Sequence, residues 1–88
     1  MLEKAFKITN STGLDAKMSS MIVTRSTKFI SNITIQLDEL KINLKSIMGV
    51  ITMAAGYNTV LTVKAEGSDA EDAVNAIYNL FENKFEEE

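Results

Sequence analysis

The sequence predicts an α+β open-faced β-sandwich, in which a four-stranded antiparallel sheet carries three helices on one face. Three observations predict it: the strand segments each bury one face only, three segments have helical periodicity, and the elements follow the order β-α-β-β-α-β-α. The 88 residues suit a single domain, 1–88, and a hydrophobic fraction of 45% is that of an ordinary globular protein.

The strands are predicted from segments that alternate apolar and polar side chains. These segments are 2–8, 32–37, 40–44 and 60–66. The second and third are separated by a two-residue connection, which predicts an antiparallel hairpin. The side chains predicted to point inward are Phe6, Ile8, Ile33, Ile35, Leu37, Leu40, Ile42, Leu44, Leu61, Val63 and Ala65.

The three helices are predicted over 16–29, 47–53 and about 69–84. In the first, periodicity places Ser19, Ile22, Val23, Ser26 and Phe29 on a core stripe and leaves Lys17, Ser20, Met21 and Thr24 on another. The third is expected to begin with Ser68 as N-cap, because Glu71 three residues later completes a capping box. Its core stripe is predicted to be Ala73, Ile77, Leu80 and Phe81.

The composition excludes several kinds of function. The chain has neither cysteine nor histidine, which removes disulfides, thiolate and imidazole metal ligands, and phosphohistidine. A formal charge of −3 and a pI near 4.9 argue against direct binding of nucleic acid, which needs a basic face. No signal peptide or membrane-spanning apolar run is recognisable, so we expect a cytoplasmic protein without metal, cofactor or membrane contact.

Ser46 stands where the third predicted strand gives way to the short helix 47–53. As an N-cap it would accept a hydrogen bond from a first-turn amide, worth about 0.5–2 kcal/mol against alanine, and this structural role alone would account for a serine. So short a helix cannot bury all of its sides, and Ile47, Met48 and Ile51 are predicted to stay outside the core. An apolar patch beside a serine indicates a docking surface whose charge phosphorylation would change.

Four motifs carry a resemblance to a known family. They are "NLKSIMG" at 43–49, "TGL" at 12–14, "TKF" at 27–29 and "KAEG" at 64–67. With the element order, they make the chain similar over essentially its whole length to HPr, the histidine-containing phosphocarrier protein of the phosphotransferase system. The likeness is greatest to the Gram-positive type.

The resemblance implies regulation through Ser46. In this family HPr kinase phosphorylates that serine, and the phosphorylated protein binds catabolite control protein A as a corepressor of carbon-regulated genes. Other phosphotransferase-system proteins are the alternative partners. The residues that the resemblance places at the partner surface are Lys17, Ser20, Met21, Thr24, Ile47, Met48 and Ile51.

The family motif "TGLHARPA" contains the histidine that carries phosphate, whereas this chain has "TGLDAKMS". Asp15 takes the place of the histidine, Lys17 that of an arginine and Met18 that of a proline. Asp15 is a good N-cap, and this is its expected role. Two alternatives stay open: that Asp15 accepts phosphate as an acyl phosphate, and that it supplies a fixed negative charge resembling a phosphorylated site.

The prediction for function is therefore a non-enzymatic HPr-like regulator that is switched at Ser46 and cannot relay phosphate through histidine. This combination resembles the catabolite-repression HPr-like (Crh) group. One runner-up is a degenerate phosphocarrier paralogue that binds phosphotransferase-system proteins without relaying phosphate. Further alternatives are an enzyme with Asp15 as nucleophile and a domain in which Ser46 only caps a helix.

Overall fold

The computed structural model describes residues 2–9, 13–53, 56 and 58–82. It has the predicted order of strands and helices. The elements are β1 (Leu2–Lys7), α1 (Ala16–Ser26), β2 (Asn32–Leu37), β3 (Leu40–Asn43), α2 (Ile47–Met53), β4 (Val60–Glu66) and α3 (Ala70–Glu82). The predicted end of the third helix at 84 and the acidic tail lie outside the described residues.

The four strands form one antiparallel sheet in the order β1-β4-β2-β3. β4 lies inside the sheet, with Phe6 of β1 opposite Leu61 on one side. On its other side, Val63 lies opposite Ile35 of β2. Ile35 in turn lies opposite Ile42 of β3, so Val63, Ile35 and Ile42 form one row of inward side chains, and Phe6 and Leu61 belong to the neighbouring row. The predicted open-faced sandwich is confirmed.

The hydrophobic core lies between this face of the sheet and the helices. α1 packs against both α2 and α3, and α3 also packs on β1 and β4. The predicted core stripe of α3 is buried. The buried apolar side chains are Phe6, Ile8, Leu14, Ile22, Ile33, Ile35, Leu44, Val50, Met53, Leu61, Val63, Ala65, Ala70, Ala73, Val74, Ile77, Leu80 and Phe81.

The inward face of β3 is less buried than its alternation predicts. Leu40 is 45% exposed and Ile42 is only half-buried. β3 is a four-residue edge strand, so its outer end has neither a second neighbouring strand nor a long helix to cover it. Alternation therefore predicts the correct face of the strand but not the depth of its burial.

α1 ends at Ser26, three residues earlier than predicted. Two hydroxyl groups bind carbonyls of the last turn: Ser26 Oγ donates to the Ile22 carbonyl (2.8 Å) and Thr27 Oγ1 to the Thr24 carbonyl (2.9 Å). Such side-chain bonds compete with continuation of the helical ladder. Phe29 lies beyond the helix but still packs against the core.

α3 begins one residue later than the predicted cap requires. The Asp69 carbonyl accepts the Ala73 N–H (2.9 Å), so Asp69 and not Ser68 precedes the helix. The Asp69 carboxylate does not cap α3, because it binds the backbone N–H groups of Ile30 and Ser31 (3.0 Å each). The predicted capping box of Ser68 and Glu71 is wrong, because α3 begins at Ala70 and Asp69 stands at the position before it. None of the helices in the described part of the chain is long and apolar enough to cross a membrane.

Candidate functional site

Ser46 caps α2 as the sequence predicts. Its Oγ accepts the Gly49 N–H at 3.3 Å, and its carbonyl accepts the Val50 N–H at 3.1 Å. The Ser46 residue is exposed. The Ser46 hydroxyl thus accepts one long hydrogen bond within the protein, and the residue remains exposed to solvent.

Gly49 allows α2 to lie close to β3. A Cβ atom at this position would lie 2.6 Å from Cγ2 of Ile42 and 3.3 Å from the Ser46 Oγ. The first distance is well below van der Waals contact, so a side chain here would have to displace the Ile42 side chain or move α2. The sequence motif contains this glycine, but only the structure shows which atoms require it.

Lys45 ties the segment before Ser46 to the end of α1. Its Nζ donates to the Phe29 carbonyl at 2.7 Å, and its backbone N–H donates to Asn43 Oδ1 at 2.9 Å. Sequence reasoning missed this contact, because nothing local marks a lysine that binds a carbonyl sixteen residues away. The start of α2 is therefore fixed against the loop that follows α1.

The predicted partner residues lie on two helices that pack against each other. On α2, Met48 is 68% exposed and Ile51 39% exposed. Their side chains contrast with the buried Val50 of the same helix. The α1–α2 surface, as we call it, consists of the exposed residues Lys17, Ser20, Thr24, Met48 and Ile51 with the half-buried Met21 and Ile47.

Asp15 caps α1. Its backbone is extended (φ −89°, ψ −175°), its Oδ1 accepts the Met18 N–H at 2.9 Å, and its carbonyl accepts the Ser19 N–H at 2.9 Å. Gly13, two residues earlier, is buried with φ 71°, a conformation that favours glycine. The cap predicted for Asp15 is confirmed.

The described residues contain no group of three or more acidic, histidine or cysteine side chains arranged to hold a metal ion. The site thus consists of an exposed serine beside apolar side chains on α2 and an exposed carboxylate at the start of α1. Neither end of this arrangement gathers an acid, a base and a nucleophile. It is suited to recognition by another protein and to a change of charge at the serine.

Known proteins share this arrangement of elements. The family model described as the PTS HPr component phosphorylation site matches residues 2–83. The phosphocarrier protein HPr of Treponema pallidum is 42% identical over 88 residues, covering 100% of both chains. The crystal structure of HPr-C-His from Thermoanaerobacter tengcongensis has a TM-score of 0.94 at 40% identity, covering 100% of this chain and 99% of that one.

A second solved structure is similar at lower identity. It is the domain-swapped dimer of Crh, the catabolite repression protein of Bacillus subtilis, with a TM-score of 0.76 and 26% identity. The match covers 99% of this chain and 100% of that one. The relatives therefore match this chain in fold and in length.

Proposed function

The chain belongs to the HPr family of the phosphotransferase system, and from that premise we propose that it is a regulatory protein switched at Ser46. HPr kinase phosphorylates Ser46, and the phosphorylated form binds catabolite control protein A in carbon catabolite repression. The protein is not an enzyme and does not relay phosphate through histidine.

The exposed Ser46 beside the exposed Met48 and Ile51 is the observation that carries this proposal. Phosphorylation adds a charge of about −1.5 to −2 and three strong acceptor oxygens. That charge would lie beside the apolar side chains of the α1–α2 surface, which a partner protein could bury. The partner would then contact the phosphate and the apolar side chains together. It would lose the contacts with the phosphate when Ser46 is unmodified.

The composition supports the absence of a histidine relay. The chain has no histidine anywhere, and Asp15 stands at the place of the carrier histidine in the family motif. A carboxylate already used as a helix cap is a poor substitute for a free imidazole. The formal charge of −3 also favours contact with a protein over direct contact with DNA.

The test is intact-mass analysis after incubation with HPr kinase and ATP, followed by binding to immobilised catabolite control protein A. Ser46→Ala removes the proposed acceptor, and Ser68→Ala is the matched control because it removes an exposed serine hydroxyl outside the α1–α2 surface. We expect one added phosphate on the native chain and on Ser68→Ala, none on Ser46→Ala, and binding only by phosphorylated forms. Failure of the native chain to gain phosphate would overturn the proposal.

A second candidate is a phosphocarrier paralogue that binds other phosphotransferase-system proteins without relaying phosphate. The 42% identity to a protein named phosphocarrier protein HPr favours this candidate, because that relative is a phosphocarrier and not a Crh protein. In this case the unphosphorylated chain binds enzyme I of the system, and Ser46→Ala binds equally well. Phosphorylation without binding to catabolite control protein A would favour this candidate over the first.

A further inference from the structure

The face of the sheet that is turned away from the helices holds a cavity. Its volume is about 220 Å³, and the residues that line it come from three neighbouring strands: Asn32, Thr34, Lys41, Lys64, Ala65 and Glu66. Sites for drug-sized ligands measure roughly 300–1,000 Å³, so the occupant of this cavity would be a smaller molecule. The sheet separates the cavity from the α1–α2 surface, so what it binds is independent of the function proposed above.

The register of the strands orders the charges along the cavity. Asn32 of β2 lies opposite Glu66 of β4 in one row, and Thr34 lies opposite Lys64 in the next outward row. Lys41 of β3 follows in the row after that. One end of the cavity therefore carries a carboxylate, and the remainder carries two ammonium groups with a hydroxyl group beside them.

The polar side chains of the cavity have no partner within the protein. In the part of the chain that the structure describes, none of the five forms a hydrogen bond or an ion pair. Lys64 is half-buried, and Glu3 of β1 stands directly opposite it, yet these two side chains do not pair. Opposite charges across a strand pair ordinarily stabilise a sheet by their contact. The ammonium group of Lys64 is thus left available to a ligand.

We propose that this cavity binds a small hydroxylated phosphate ester. Lys41 and Lys64 match the charge of about −1.5 to −2 that a phosphate monoester carries at neutral pH. The Thr34 hydroxyl donates to a phosphate oxygen, and the Asn32 amide both donates and accepts. The Glu66 carboxylate repels the phosphate but accepts hydrogen bonds from hydroxyl groups. The ligand therefore lies with its phosphate toward the lysines and its hydroxyl groups toward the carboxylate.

The first test is titration with glycerol 3-phosphate at constant ionic strength, followed through the backbone amide signals. We expect saturable changes at Thr34, Lys41 and Lys64 in the native chain. Lys64→Gln should weaken binding about tenfold, because it removes a charge-assisted hydrogen bond. Lys7→Gln is the matched control, since it removes a lysine from the same face of the sheet outside the cavity.

Three results of this titration would overturn the proposal. The first is a native chain that shows no saturable change. The second is a set of changes confined to α1 or α2, which would place the anion at a helix and not on the sheet. The third is equal binding by the native chain and Lys64→Gln, or equal weakening by Lys64→Gln and Lys7→Gln, which would reduce the effect to net charge.

The second test examines the orientation of the ligand by comparing glycerol 3-phosphate with inorganic phosphate. The native chain should bind the ester about tenfold more tightly, because only the ester has hydroxyl groups for the Glu66 carboxylate. Glu66→Ala should abolish this preference. Glu3→Ala, which removes a carboxylate of the same face outside the cavity, should keep it. Equal binding of both anions by the native chain, or a preference that survives in Glu66→Ala, would overturn the assignment of a hydroxylated ligand.

Discussion

Asp69, at the start of α3, binds Ser31, thirty-eight residues earlier in the chain, through both the backbone N–H and the hydroxyl of that residue. Ser31 is buried, and Gly67 lies directly against it. A Cβ atom on Gly67 would lie 2.8 Å from the Ser31 Cα, and the φ of Gly67 is +148°. The carboxylate and the glycine therefore hold the entry to β2 against the end of β4.

This contact predicts a pH dependence of stability. The hydroxyl of Ser31, and then the N–H of Ile30, hold the pKa of Asp69 below its ordinary value. A carboxyl whose pKa is lower in the folded state stabilises the fold above its unfolded pKa, and that stabilisation is lost as the pH falls through the folded pKa. Asp69→Asn should therefore be less stable than the native chain at neutral pH.

Urea denaturation of the native chain and Asp69→Asn over a series of pH values measures this difference. The two free energies of unfolding should converge as the pH falls below the unfolded pKa of aspartate. Asp38→Asn, at an exposed position in the turn between β2 and β3, is the control and should follow the native curve. A gap between native and Asp69→Asn that is constant with pH would show that the carboxylate charge is not what stabilises the contact.

The Asp69 contact also shows where sequence reasoning stops. Alternation over 60–66 predicts the bounds of β4, and the motif at 43–49 predicts the cap of α2, because both are encoded by neighbouring residues. A carboxylate that prefers a loop thirty-eight residues away leaves no local signal, so the local pattern points wrongly to Ser68 as the cap of α3. Tertiary partners of polar side chains are set by the assembled fold.

The same limit applies to the candidate site. Helical periodicity alone separates Lys17 and Ser20 from the buried stripe of α1. It does not reveal that Lys45 binds the Phe29 carbonyl or that Met18 supplies the amide for Asp15. Periodicity reports which side of a helix faces water, whereas these bonds depend on the backbone positions of neighbouring segments.

Gly49 should be intolerant of even a methyl group. Gly49→Ala places Cβ against Cγ2 of Ile42, and overpacking of this kind costs about 1–3 kcal/mol. Thermal or urea denaturation measures the loss. Gly56→Ala is the matched control, because no atom lies within 4 Å of the added Cβ. Ile42→Ala in the Gly49→Ala background should recover part of the loss caused by the glycine change; full additivity would mean that the two side chains do not meet.

Tyr78 should titrate above the ordinary range of tyrosine. The negative charge of Glu82 raises the pKa of Tyr78, and burial and a hydrogen bond to Glu82 raise it further. Lys4 lies on β1, and its Nζ is 3.7 Å from the centre of the Tyr78 ring. Because the folded pKa is raised, the contribution of this group to stability is complete below the unfolded pKa and is lost as the pH rises through the folded one.

Absorbance titration of the phenol in a Tyr57→Phe background, where Tyr78 is the remaining tyrosine, measures its pKa. Glu82→Gln should bring the pKa back toward the ordinary value, since it removes the charge and keeps a hydrogen-bonding side chain. Asp72→Asn on the same helix serves as the charge control. An unchanged pKa in Glu82→Gln would exclude Glu82 as the cause of the shift.

Phosphate transfer should be absent from the native chain and restorable by repairing the family motif. In the family the phosphate is carried on a histidine nitrogen, and this chain has no histidine to supply one. The triple variant Asp15→His, Lys17→Arg and Met18→Pro restores the imidazole, gives a guanidinium that binds phosphate through two hydrogen bonds, and removes the N–H that holds the cap. We expect acid-labile phosphate on the triple variant by intact mass.

The double variant Lys17→Arg and Met18→Pro keeps Asp15 and should acquire none. Phosphate on that double variant would show that the carboxylate accepts phosphate once its bond to Met18 is broken, and the acyl-phosphate alternative would then replace the non-carrier assignment.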